Sequence, residues 1–121
     1  MELPDAELAV LEALWRDAPQ SAEQLTLALA ATRAWKLNTV KTLLTRMLAR
    51  GAVRHEKEGR RFLYWPVWER RAFLTQATRQ LLDSFFGGKV TPLVAHLSSQ
   101  RKLSAADRRA LRELLDSWEQ N

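Results

Sequence analysis

The segment Asn38-Thr39-Val40-Lys41-Thr42-Leu43-Leu44-Thr45-Arg46-Met47-Leu48 sorts its side chains by helical angle. At about 100° per residue, measured from Asn38, the residues Leu43, Met47, Val40, Leu44 and Leu48 fall between about 140° and 280°. Asn38, Thr39, Lys41, Thr42, Thr45 and Arg46 fall between about −60° and 100°. The two sets do not overlap, so the spacing predicts a helix with one face to bury and one face free to touch a partner. The free face carries short hydrogen-bonding groups and cations, with no carboxylate. Gly51 suits the residue just past the helix C-terminus. Val53-Arg54-His55-Glu56-Lys57 and Arg61-Phe62-Leu63-Tyr64-Trp65 then read as two strands about the turn Glu58-Gly59-Arg60, and Pro66 ends the second. A polar helix face with a basic hairpin behind it is suited to the major groove of DNA and its flanking phosphates.

Two shorter helices are expected upstream. Pro4-Asp5 opens the first, with Leu8, Leu11, Leu14 and Trp15 as its core face; it ends near Asp17, and Pro19 bars continuation. Ser21 stands three before Gln24, a capping-box spacing that starts the second helix through Leu25, Ala28 and Leu29. Arg33-Ala34-Trp35-Lys36 connects it to the third. Three helices followed by a β-hairpin make a winged helix-turn-helix, assigned to residues 1–68.

The charge distribution points the same way. The chain has a net charge of +5, no cysteine and a hydrophobic share of 46%, which is enough for a packed core and excludes disulfides and thiolate metal sites. Residues 1–32 carry one Arg against six acidic residues, a net of −5; residues 33–61 carry nine Lys and Arg against Glu56 and Glu58, a net of +7; residues 62–121 net +3. The basic block coincides with the candidate reading helix and hairpin, as a polyanion partner requires, although a solvated surface could produce it too. No apolar run is long enough for a membrane span, and Met1-Glu2-Leu3-Pro4-Asp5 lacks the features of a signal peptide, so the expected location is the cytoplasm.

Beyond Pro66 the sequence predicts three more helices. The first runs from about Glu69 to Phe86, with Phe73, Leu74, Ala77, Leu81, Leu82 and Phe85 on one side, and stops at Gly87-Gly88. Thr91-Pro92 begins a short one holding Leu93, Val94 and Leu97. Ser104 with Asp107 caps the last, which bears Leu111, Leu114, Leu115 and Trp118. Roughly 50 residues in three helices rarely build a sufficient core alone. Burying each large apolar group is worth about 1.5–3 kcal/mol, so residues 69–121 are expected to form a helical dimerisation domain rather than an intrachain extension. Two reading helices related by a two-fold axis would then recognise a palindrome with half-sites about one helical turn, or a multiple of it, apart.

Taken together, Glu7-Leu8-Ala9-Val10-Leu11 with Leu14-Trp15, Trp35 with Asn38 through Arg46, Gly51, Phe85-Phe86-Gly87-Gly88 and Pro92-Leu93-Val94 form a specific set. On these residues the chain resembles the penicillinase-repressor family of bacterial transcription factors (the BlaI/MecI/CopY type), from Leu3 to about Trp118. The resemblance implies a homodimeric winged-helix repressor whose third helix enters the major groove and whose C-terminal helices intertwine with those of the second copy. It places Asn38, Thr39, Lys41, Thr42 and Arg46 at the DNA, positions that the helical angles select independently. It implies operator DNA and a second copy as partners, with a membrane protease-sensor as a further partner where induction is proteolytic. Two departures stand out. Copper-responsive members end in a cysteine cluster, and this chain has none. Members inactivated by proteolysis are cut at an Asn-Phe bond, where His96-Leu97 stands here.

The residue roles follow. Thr39, Lys41 and Thr42 are assigned to base edges and nearby phosphates, with Thr45 beside them; Arg46, Arg60 and Arg61 are assigned to the backbone. Asn38 has two open readings, a helix cap or a DNA contact. His55 and His96 stand alone and imply no metal, and no cofactor is expected. The Trp residues read as core and interface fillers, with Trp35 positioned to buttress the reading helix. No phosphate loop, metal spacing or nucleophile-base pair suggests an enzyme. The alternative function is a winged-helix adaptor that binds protein.

Overall fold

The computed structural model describes residues 3–100 and 103–119. In chain order it holds α1 (Asp5–Arg16), α2 (Ala22–Ala28), α3 (Leu37–Arg50), β1 (Val53–Glu58), β2 (Arg61–Pro66), α4 (Arg70–Phe86), α5 (Val90–Gln100) and α6 (Ala105–Glu119). Three helices precede a two-stranded antiparallel hairpin and three follow it, so the expected mainly helical, winged helix-turn-helix architecture is present. By its internal packing the chain divides into two compact units, Met1–Thr78 and Arg79–Asn121.

The first unit is built around α1, α2 and α3. Val10, Leu11 and Leu14 from α1, Leu25 from α2, and Val40, Leu44 and Met47 from α3 lose nearly all contact with solvent. The buried arc of α1 is rotated from the expected stripe. Glu7 and Val10 are fully buried, while Leu8 and Trp15 are half-buried. At about 100° per residue, Glu7, Val10, Leu11 and Leu14 share an arc of about 100°, with Leu8 and Trp15 at its edge. Because α1 packs on both α3 and β2, geometry rather than apolar character sets that arc. Buried Glu7 answers to a cation: its Oε2 lies 3.9 Å from Nη2 of Arg50 near the end of α3.

The capping box at α2 is closed in both directions. The Gln24 amide donates to Ser21 Oγ at 3.1 Å, and the Ser21 amide donates to Gln24 Oε1 at 2.8 Å. Ala22 and Leu25 are buried, whereas Ala28, expected in the core, is exposed because α2 ends there and Leu29 takes the inward position. Gly51 terminates α3 with φ 76°, a left-handed conformation that a residue with a Cβ resists.

In the hairpin, Glu58 pairs with Arg61, so the turn is Gly59-Arg60 rather than the expected three residues. Gly59, at φ 65°, sits at the first central position of this two-residue turn, where a type II′ hairpin demands positive φ. The sheet gains a further pairing that the sequence conceals. Gln20 bridges Tyr64, its amide donating to the Tyr64 carbonyl at 3.2 Å and accepting from the Tyr64 amide through its own carbonyl at 2.9 Å. The Gln20 side chain meanwhile donates to the carbonyls of Ala13 and Asp17, so it closes the end of α1. Trp15 Nε1 donates to the Trp68 carbonyl at 2.9 Å, and both indoles lie against Phe73. These contacts tie the start of α4 to α1.

In the second unit, Gly87 and Gly88 end α4 at φ 58° and 74°, with the Gly88 amide donating to the Leu82 carbonyl. α5 begins at Val90, just ahead of the expected Thr91-Pro92. The Asp107 amide donates to Ser104 Oγ at 3.0 Å and caps α6. None of the residues of α4 or α5 is buried. Leu74, Leu81, Phe85, Leu97, Leu111, Leu114, Leu115 and Trp118 are exposed, and Phe73, Leu82, Leu93 and Val94 are half-buried.

The packing predicts a contrast in stability. Leu44→Ala should lower the unfolding free energy by about 2–5 kcal/mol, whereas Leu27→Ala, at a side chain that is 78% exposed, should stay within about 0.5 kcal/mol of wild type. Urea unfolding followed by circular dichroism checks this; similar losses for the two variants would contradict the assigned core.

Candidate nucleic-acid interface

α3 divides as its helical angles require. Val40, Leu43, Leu44 and Met47 are buried and Leu48 is half-buried, while Asn38, Thr39, Lys41, Thr42, Thr45 and Arg46 are all exposed. The N-cap is Lys36, without a side-chain cap bond, and Asn38 lies inside the first turn. The capping reading of Asn38 therefore fails, and its amide group is exposed on the polar face. Thr42 Oγ1 donates to the Asn38 carbonyl and Thr45 Oγ1 to the Lys41 carbonyl, both at 2.9 Å. Each hydroxyl proton is committed to the helix, so each oxygen presents outward only as an acceptor beside its methyl. Acceptor plus methyl suits an exposed base amino group or a thymine methyl and does not suit a phosphate, which needs a donor.

The cations fall into two groups. Arg33 pairs with Asp5 at 2.9 Å and lies over the Trp35 ring at 5.1 Å. Arg54 lies over Trp65 at 4.3 Å and 3.2 Å from Glu56, and Arg61 is 3.7 Å from Glu58. Lys41, Arg46 and Arg60 have no ion-pair partner among the described residues. Trp35 packs against the core beside the start of α3, the buttressing position expected of it. His55 stacks on Phe62, with ring centroids 4.6 Å apart, and tilts against Tyr64 at 5.5 Å.

Between α3 and the hairpin lies an open cleft of about 90 Å³. Lys41, Arg60 and Arg61 line it together with Glu23, Phe62 and Tyr64. The sequence singled out the three cations but neither Glu23 nor Tyr64. The only signal for Tyr64 was its place in an alternating strand, which says nothing of what lies beyond the sheet. Burial first, and the Glu23 charge second, raise the Tyr64 hydroxyl above its ordinary pKa of 10.0. Among the described residues no group of three His, Asp or Glu side chains is placed to hold a metal.

A family model described as "Penicillinase repressor" matches residues 3–117. The chain belongs to the penicillinase repressor family. That is a family of repressors rather than enzymes. Among its relatives, the penicillinase repressor of Bacillus licheniformis is 27% identical over 115 residues, which cover 95% of this chain and 90% of that protein. An uncharacterised 16.5 kDa protein of Latilactobacillus sakei is 32% identical over 94% of this chain and 78% of its own length. Among solved structures, the Bacillus licheniformis BlaI monomeric form in complex with the blaP half-operator superposes with a TM-score of 0.51 and 32% identity. That match covers 60% of this chain and 88% of the other. No helix among the described residues of this penicillinase repressor relative is long and apolar enough to cross a membrane.

The Tyr64 environment generates a pH prediction. A hydroxyl whose folded pKa is raised favours the neutral form, and its stabilisation is fully present below the unfolded value of 10.0. It is lost as pH rises through the folded value. Wild type should therefore lose stability more steeply than Tyr64→Phe above pH 10.0, measured by urea midpoints across that range. Parallel curves would contradict the burial of this hydroxyl beside Glu23.

Proposed function

We propose that this chain is a sequence-specific transcriptional repressor that binds a palindromic operator as a homodimer and so occludes a promoter. The observation that carries the reading is the exposed, carboxylate-free face of α3 beside a basic hairpin, in a member of the penicillinase repressor family. Residues 1–68 form the DNA-binding domain in this reading, and residues 69–121 the dimerisation domain. The BlaI structure, in which a monomeric form is bound to a half-operator, supports a division of labour in which one winged helix reads one half-site.

Within that reading, Asn38, Thr39, Thr42 and Thr45 face base edges. Lys41 reaches base edges and nearby phosphates, and Arg46, Arg60 and Arg61 supply positive charge to the flanking backbone and fix the register. The dimer is held by apolar side chains of the last three helices: Phe73, Leu74, Leu81, Leu82, Phe85, Leu93, Val94, Leu97, Leu111, Leu114, Leu115 and Trp118. Eight of these twelve side chains are exposed in the single chain and the other four are half-buried, which supports this use.

Fluorescence anisotropy on operator and random duplexes tests the assignment. The operator should bind at about 10 nM or tighter at physiological salt, with affinity falling steeply as salt rises. Thr42→Ala should cost about 1–2 kcal/mol of operator preference, while Arg46→Ala weakens all duplexes about alike. A protein that never distinguishes any promoter fragment from random DNA would end this reading. For the dimer, sedimentation equilibrium at micromolar concentration should give two copies for wild type and one for Phe85→Glu, whose ring is 76% exposed in the single chain. A monomeric wild type would refute the proposed role of the last three helices.

A further inference from the structure

The connector between the hairpin and α4 is three residues long, Val67 to Glu69, and it is fastened from two sides. The amides of Val67 and Trp68 donate to the Ala52 carbonyl at 2.8 and 3.3 Å. Ala52 is fully buried and directly follows Gly51, the residue that ends α3. From the other side, Trp15 Nε1 donates to the Trp68 carbonyl at 2.9 Å. Phe73, in the first turn of α4, completes an aromatic group. Its ring centroid lies 5.8 Å from that of Trp15, tilted, and 6.3 Å from that of Trp68, stacked. All three rings are half-buried, and both indoles pack against the core. Every member of this clamp lies in the first unit, whereas α4 itself runs on to Phe86, past the boundary at Thr78.

We propose that this aromatic clamp sets the separation of half-sites that the dimer accepts. The inference rests on the dimeric, DNA-binding reading and adds to it a specificity determinant that touches no DNA. A free linker at this point would let each reading helix search for its half-site, and the dimer would tolerate several separations. Here the main chain is fastened to the exit of α3 and the side chains to α1, so α4 leaves the reading domain in one direction. Tilted and stacked ring pairs have preferred geometries that an aliphatic contact lacks. The bond from Trp15 to the Trp68 carbonyl holds a second direction. Small play at the clamp has a large consequence. α4 has 17 residues and is about 25 Å long. A swing of about 10° at its base carries its far end by about 4 Å. One base pair added between half-sites shifts the second by about 3.4 Å and turns it by about 34°. Looseness at Trp15, Trp68 and Phe73 therefore becomes tolerance of spacing. The three are positioning residues, with Phe73 working inside its own chain as well as at the dimer contact.

The test measures full-length wild type, Phe73→Ala and Trp15→Phe by fluorescence anisotropy on three kinds of duplex. These carry one half-site, two at the preferred separation, or two with one base pair inserted or removed. The half-site is the one recovered by selection from random sequence. Wild type should lose about 100-fold when the separation changes, because only one copy then engages. Phe73→Ala should lose about tenfold or less, with Trp15→Phe between the two. Binding to the single half-site should stay within about twofold of wild type for both variants, since neither ring belongs to the polar face of α3. Equal losses on all three kinds of duplex would make the clamp merely structural and overturn the proposal, as would wild-type discrimination in both variants. Sedimentation equilibrium accompanies the assay. Should Phe73→Ala sediment as one copy, Trp15→Phe decides alone: relaxed discrimination supports the clamp and retained discrimination overturns it. If wild type prefers two half-sites to one yet accepts every separation, the dimeric reading stands and the clamp proposal fails. If wild type binds one and two half-sites alike, the dimeric operator reading itself fails.

Discussion

The burial of Val40, Leu43, Leu44 and Met47 fixes what α3 can do. Each such side chain contributes about 1.5–3 kcal/mol when removed from water, and the helical repeat is rigid. Rotating α3 by one residue would drive polar groups into the core and expose apolar ones. The outward position of Asn38, Thr42 and Thr45 is therefore a consequence of packing, not a separate feature. Gly51 stops the helix in a left-handed conformation and releases the chain into the hairpin, so the same burial also sets where the wing begins.

Electrostatics acts on this scaffold without building it. The acidic start of the chain and its basic middle meet in two places, Arg33 with Asp5 and Arg50 with Glu7. The Arg33 pair is largely exposed and adds little to stability, whereas the Arg50 guanidinium sets a counter-charge near the buried Glu7 carboxylate. Their effect is to sort the cations. Arg33 and Arg50 are matched by carboxylates of α1, whereas Lys41, Arg46 and Arg60 have no ion-pair partner among the described residues. The threonines are sorted similarly. By donating to their own helix, Thr42 and Thr45 give up phosphate binding and keep acceptor oxygens and methyl groups for base edges. The polar face thus carries neutral groups along its centre, with Lys41 at one border and Arg46 and Thr39 at the other.

The features legible in the sequence are those that local chemistry decides. The face of α3, the capping box of Ser21 and Gln24, the stop at Gly51 and the hairpin all depend on residues within a few positions of one another. The features that stayed hidden depend on distant partners. Gln20 stands between Pro19 and the Ser21 cap with no local signal of a partner, yet it pairs with Tyr64 and closes the end of α1 with its side chain. Glu7 lies outside the apolar spacing of α1, yet α1 is covered on two sides and buries it to 1% exposure. Ala28 reads as core by spacing, yet α2 ends there. Glu23 and Tyr64 enter the candidate site only because the hairpin folds back over the start of α2. The polar face of α3 was thus fully visible in advance, while the cleft at its edge was visible only as isolated arginines and a lysine.

The most direct test of the central claim is an amide-resolved NMR titration of the full chain with a duplex recovered by selection from random sequence. The account predicts that shifts concentrate at Asn38, Thr39, Lys41, Thr42, Thr45 and Arg46 and at the turn Gly59-Arg60, and saturate together. Shifts confined to other surfaces, with these residues unmoved, would contradict it.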